Sequence, residues 1–172
     1  QKILQSCQRA IKWVYENADS LDIVRKRIHI SGNSAGGHLV TLLMNRDWPQ
    51  KFSLPHDLIA GGCAISGIYD LTPVMLSIKN EILNLSPEDM ERFSPIRQIP
   101  EEASELLFFV GSEETPEFLV QQEEIQQSWQ KADLQSSAEI CSDRNHIDIL
   151  MRDFADPMSS MNQQVRSQMG IL

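Results

Sequence analysis

Ser34 stands in Gly32-Asn33-Ser34-Ala35-Gly36, a G-x-S-x-G pentapeptide that follows the β-prone run Ile28-His29-Ile30 and precedes apolar residues at helical spacing. That strand-turn-helix context makes Ser34 a candidate nucleophile and not a loop serine. A serine hydroxyl is a weak nucleophile at its own pKa, so chemistry here needs partners. A neutral imidazole must reach the hydroxyl to take its proton, a carboxylate must hold the imidazole in the right tautomer, and backbone donors must face the oxyanion that develops. A chain folding back sharply also needs neighbours without bulky Cβ groups, a demand that Gly32, Ala35 and Gly36 fit.

Of the four histidines, His146 is the best placed base. It follows the last predicted strand, whereas His29 lies inside the strand before Ser34 with its side chain toward a sheet face. His38 is four residues beyond Ser34 on the same helix, and His56 sits in a loop at the other end of the sheet. The acid is more open. Glu113, Glu114 and Glu117 follow the apolar run ending at Val110, and Asp70 follows the preceding strand. Glu117 falls in the first turn of a helix opened by Pro116, where the helix dipole alone accounts for an acidic residue. Glu114 is preferred on position, with Glu113 and Asp70 as alternatives. Asp148, two residues past His146, reads as scaffold. The backbone N–H of Ala35, next after the nucleophile, supplies one oxyanion donor. The second normally comes from an early His-Gly-Gly-Gly loop, and the sequence contains none.

Positioning these groups falls to alternating strands and helices. Ile3, Leu4, Cys7, Ala10, Ile11 and Val14 form an apolar stripe at helical spacing, predicting an opening helix to about Asn17. Strands are predicted at 28–31, 58–66, 106–110 and 137–140. The helix after Ser34 should run to about Asn45, with Trp48-Pro49 closing it. Residues 77–85 are weakly helical, and Ser86-Pro87-Glu88-Asp89 marks a capped helix start. Pro116 opens a long helix through Phe118, Ile125 and Trp129. The loop 141–145 delivers His146 ahead of a final helix carrying Ile149, Leu150 and Phe154. Such alternation implies a parallel sheet of four strands with helices on both faces, in one α/β domain spanning residues 1–172.

Bulk properties narrow the function. A net charge of -9 and 41% hydrophobic content describe an acidic globular chain, which argues against nucleic acid or an anionic membrane surface as partner. Cys7, Cys63 and Cys141 form no C-x-x-C pair and read as small buried residues, favouring a reducing, cytoplasmic setting. The chain opens on Gln1 and goes straight into the apolar stripe, so it is expected to begin partway through a domain.

The order nucleophile, acid, histidine is that of α/β-hydrolases. Four segments make the chain resemble the kynurenine formamidase (arylformamidase) branch, near the hormone-sensitive-lipase-like esterases. They are Ser31-Gly32-Asn33-Ser34-Ala35-Gly36-Gly37-His38, Ser66-Gly67-Ile68-Tyr69-Asp70-Leu71, Val110-Gly111-Ser112-Glu113-Glu114-Thr115-Pro116-Glu117-Phe118 and Asn145-His146-Ile147-Asp148-Ile149. The resemblance implies an α/β/α sandwich and a Ser34-His146-Glu114 triad acting on a small acyl ester or N-formyl arylamide, with no cofactor and no metal. It also implies a C-terminal portion lacking an N-terminal half with the His-Gly-Gly loop, and hence a chain poorly stable and nearly inactive alone. A general carboxylesterase, or a hydrolase-like binding module without catalysis, are the competing expectations.

Overall fold

A computed structural model of the chain describes residues 2–45 and 47–171. Helix α1 (Lys2–Glu16) leads through a polar turn and a 3-10 turn (Arg25–Arg27) into β1 (Ile28–Asn33) and α2 (Ala35–Leu43). Next come a single helical turn α3 (Asp47–Gln50), β2 (Ile59–Ile65), and the short helices α4 (Thr72–Met75), α5 (Asn80–Leu83) and α6 (Pro87–Phe93). The chain then alternates through β3 (Leu106–Gly111), α7 (Pro116–Lys131) and β4 (Ser136–Cys141), and closes with α8 (Ser160–Gln168). The four strands are all parallel, in the order β1-β2-β3-β4. Their carboxyl ends therefore lie along one edge, where open α/β sheets bind ligands.

The period-2 alternation of β3 divides the core. Leu106 and Phe108 face a large cluster with Ile11 of α1, Val40 and Leu43 of α2, and Ile125 and Trp129 of α7. Leu107 and Phe109 face a smaller one with Cys63, Cys141, Ile149 and Met161 of α8. A strand buried on both faces has to be apolar throughout, which is why 106–110 carries no polar residue. Tyr69 packs edge-on against Phe108 (5.6 Å), and Phe108 against Trp129 (5.8 Å), so the loop after β2 is anchored through the sheet to α7. At the start of α6, Ser86 and Asp89 form the reciprocal capping box that the sequence predicts.

Three local expectations change. Trp48-Pro49 does not end α2; both lie inside α3, where Pro49 occupies a first turn that needs no N–H, and Trp48 Nε1 donates to the Leu43 carbonyl at 2.8 Å. The final helix after His146 is instead a π-turn (Leu150–Phe154) closed by Ala155 N–H to the Leu150 carbonyl. That wider turn sets Leu150 and Phe154 against the smaller cluster, and Asp156-Pro157 prevents its extension. Cys63 and Cys141 are buried as expected, but Cys7 is only half-buried. Among the described residues, no helix is long and apolar enough to cross a membrane.

Candidate active site

Ser34 lies between β1 and α2 with φ 58° and ψ −118°, a backbone state that residues with a Cβ rarely adopt. Its N–H donates to the Ile65 carbonyl at the end of β2 (2.9 Å), which fixes the turn to the sheet. Gly32 is required there, because a Cβ would stand 2.5 Å from the Gly36 carbonyl carbon. Gly36 itself faces open space, so the expectation that it relieves crowding is corrected. The second crowded position is Gly37, whose Cβ would meet the Ile65 carbonyl oxygen at 2.9 Å. Asn33 ends β1 with its side-chain Nδ2 buried and without a hydrogen-bond partner among the described residues. Ala35 is the first residue of α2, and the first N–H groups of a helix have no intrahelical acceptor.

At the end of β3, Glu114 turns inward. Its side chain is 1% exposed, and Oε2 lies 2.5 Å from His146 Nδ1. Oε1 accepts the Gly111 N–H (2.9 Å) and the Ser66 hydroxyl (2.5 Å). A buried carboxylate needs such donors to offset its lost hydration. His146 is held in turn: the Asn145 side chain accepts the N–H groups of Ile147 and Asp148, Ile149 is fully buried, and Phe118 lies against the imidazole at 5.0 Å. Gly111 makes room for this loop, since a Cβ there would lie 2.1 Å from the Arg144 carbonyl oxygen. Phe118 also walls a cavity of about 190 Å3, together with Ile68, Pro73, Val74 and Gln121.

The other candidates are engaged elsewhere. Asp70 accepts from the Thr72 N–H and hydroxyl and faces Arg97 at 3.7 Å. Glu113 is exposed, and Glu117 accepts from Gln121 Nε2 (2.8 Å). Asp148 accepts from Asn145 and pairs with Arg152 one turn on, as scaffold should. His38 Nδ1 meets the Ile68 carbonyl at 2.8 Å, and burial lowers its pKa; burial likewise lowers that of His29, on the α8 side of the sheet beside Gln168. His56 is exposed and lines a separate polar cavity with Arg97. Burial pushes the thiols of Cys63 and Cys141 up to about 12, which leaves neither as a thiolate nucleophile. No group of three His, Cys, Asp or Glu side chains stands ready to hold a metal ion among the described residues.

Sequence reasoning missed Ser66 and Gln121. The buried Gln121 accepts the N–H groups of Tyr69 and Asp70 and donates to the Asp70 carbonyl, so it ties the β2 loop to α7. Its signal was a polar pair, Gln121-Gln122, on the buried stripe between Phe118 and Ile125.

A parallel sheet flanked by helices, with a tight serine turn after one strand and a carboxylate-histidine pair beyond two later ones, is the α/β-hydrolase fold. Within that class, the family described as BD-FAE matches residues 2–115, and the chain belongs to it. It is 31% identical over 140 residues to kynurenine formamidase of Danio rerio and 28% identical over 141 residues to that of Salmo salar. Both matches cover 76% of this chain and 47% of the relative, so the chain spans about half the length of these curated relatives. An acetyl ester-xyloside bifunctional hydrolase from Caldicellulosiruptor lactoaceticus superposes with a TM-score of 0.76 at 16% identity, covering 98% of this chain and 66% of that one. A carboxylesterase from Lactobacillus plantarum gives 0.73 at 14% identity, covering 98% and 68%. These likenesses carry the fold.

Proposed function

We propose that this chain carries the nucleophile, base and acid of a serine hydrolase that cleaves a small acyl ester or an N-formyl arylamide through an acyl-enzyme. The observation that carries the reading is the 2.5 Å contact between a buried, doubly anchored Glu114 and His146 on the same sheet edge as the Ser34 turn. Ser34 Oγ attacks the substrate carbonyl while His146 Nε2 takes its proton. Glu114 Oε2 accepts the Nδ1–H and stabilises the imidazolium without itself being protonated. The Ala35 N–H faces the developing oxyanion. The imidazolium then returns its proton to the leaving nitrogen or oxygen, and the acyl group stays on Ser34 until water, deprotonated by the same imidazole, releases it.

A formamide is favoured over a general ester because the curated fish relatives are kynurenine formamidases. The cavity of about 190 Å3 beside Phe118, whose ring lies against His146, is compatible with a compact leaving group. In the full-length protein, Ser34→Ala should lower kcat by about 10⁶ and abolish labelling by a fluorophosphonate probe. Labelling that persists in Ser34→Ala would remove Ser34 from the reaction.

A further inference from the structure

We infer that Ser66 is a positioning residue that sets which face of the Glu114 carboxylate meets His146; the inference rests on the triad reading above. Ser66 is 1% exposed and has φ 48°, the left-handed region in which a residue with a Cβ is strained and glycine is not. A buried serine therefore occupies a backbone site better suited to glycine. What serine has and glycine lacks is Oγ, and the partner of that Oγ among the described residues is Glu114 Oε1 at 2.5 Å.

The location of the hydroxyl explains its use. Gly111, the other donor to Oε1, is the last residue of β3 and stands three residues before Glu114, so its N–H ties the carboxylate to its own strand end and not to the element that carries the nucleophile. Ser66 lies on another strand end, just after β2. It follows Ile65, whose carbonyl holds the Ser34 N–H, and its own N–H donates to the Phe109 carbonyl of β3 (2.7 Å). Ser66 thus stands between the element that carries the nucleophile and the element that carries the acid. Its single hydroxyl proton occupies Oε1 and leaves Oε2 to accept from the imidazole. Without that proton, Oε1 keeps only the Gly111 N–H, and the carboxylate can turn about its terminal bond away from the imidazole.

The test uses Ser66→Gly and Ser66→Ala in the full-length protein, with phenyl acetate as substrate. Ser66→Gly relieves the backbone strain, so its melting temperature should equal or exceed that of wild type, while kcat falls about tenfold or more and KM changes little. Ser66→Ala keeps the strain, lacks the hydroxyl, and should show the same loss of kcat. In a Glu114→Ala background, Ser66→Gly should cause no further loss, because Ser66 acts through Glu114. Wild-type kcat in Ser66→Gly, or an undiminished loss in the Glu114→Ala background, would overturn the inference. Turnover surviving in Ser34→Ala would instead sink the triad reading, so the two failures are told apart.

Discussion

The loops that follow β2 and β3 begin alike and end differently. Each leaves the same edge of the sheet, and each carries an acidic residue three positions beyond a glycine, Asp70 after Gly67 and Glu114 after Gly111 at the end of β3. Asp70 is consumed locally, with Oδ1 accepting from both groups of Thr72 and facing Arg97. Glu114 has one oxygen saturated by Gly111 and Ser66 and the other directed at His146. The difference teaches that a strand-end position does not by itself distinguish the two carboxylates. What separates them is which neighbouring donors occupy the first oxygen, and whether a second loop can approach the other.

The sharpest way to break this contrast is to neutralise each carboxylate. Glu114→Gln should lower kcat by about 10³–10⁴, because an amide can donate to Nδ1 and fix the wrong imidazole tautomer. Asp70→Asn keeps an acceptor for the Thr72 N–H, and should leave turnover near wild type with less than about 1 kcal/mol change in stability. Steady-state kinetics on the pair measure both, and equal losses would erase the distinction. A smaller effect is expected at the glycine that admits the His146 loop. Gly111→Ala places a Cβ against a backbone oxygen that cannot rotate away, so denaturant unfolding should show a loss of about 1–3 kcal/mol, with reduced turnover from a displaced His146.

The smallest effect concerns the loop after β2, whose Ile68 carbonyl is held by His38. Burial lowers the His38 pKa, so below its ordinary value of 6.5 the unfolded chain binds a proton that the folded chain does not. Stability is then fully present above about pH 6.5 and declines as pH falls toward the depressed folded value. His38→Gln, with a donor that does not titrate, should flatten the melting temperature between pH 7 and pH 5 by about 1 kcal/mol of equivalent stability or less. An unchanged pH slope in this variant would assign the acid sensitivity to His29 or to carboxylates.

Much of the framework was legible because local chemistry and tertiary demand agree. An apolar run bounded by Gly111, a proline-opened α7 and the Ser86 capping signal each read the same way in sequence and in space. Chain order brought the candidate acids and His146 to one edge, since parallel strands place successive strand-end loops there, but it left Glu113 and Asp70 open beside Glu114. What stayed hidden depends on through-space neighbours. Gly36 and Gly37 are indistinguishable in sequence, and only the approach of the Ile65 carbonyl makes Gly37 the crowded one. Ser66 carries no mark of its left-handed backbone. The apolar spacing of Ile149, Leu150 and Phe154 suits an α-helix, and the shape of the smaller cluster selects the π-turn instead.

The strand order has a consequence for biosynthesis. Neighbours among the four described strands are also successive in the chain, so each can pair with the strand released just before it. The Ser34 turn closes on Ile65 once β2 emerges, and Ser66 meets Phe109 and Glu114 with β3. Only when β4 has docked and its loop has crossed Gly111 does Glu114 gain its imidazole. The carboxylate-histidine pair is therefore withheld until β4 has joined β3.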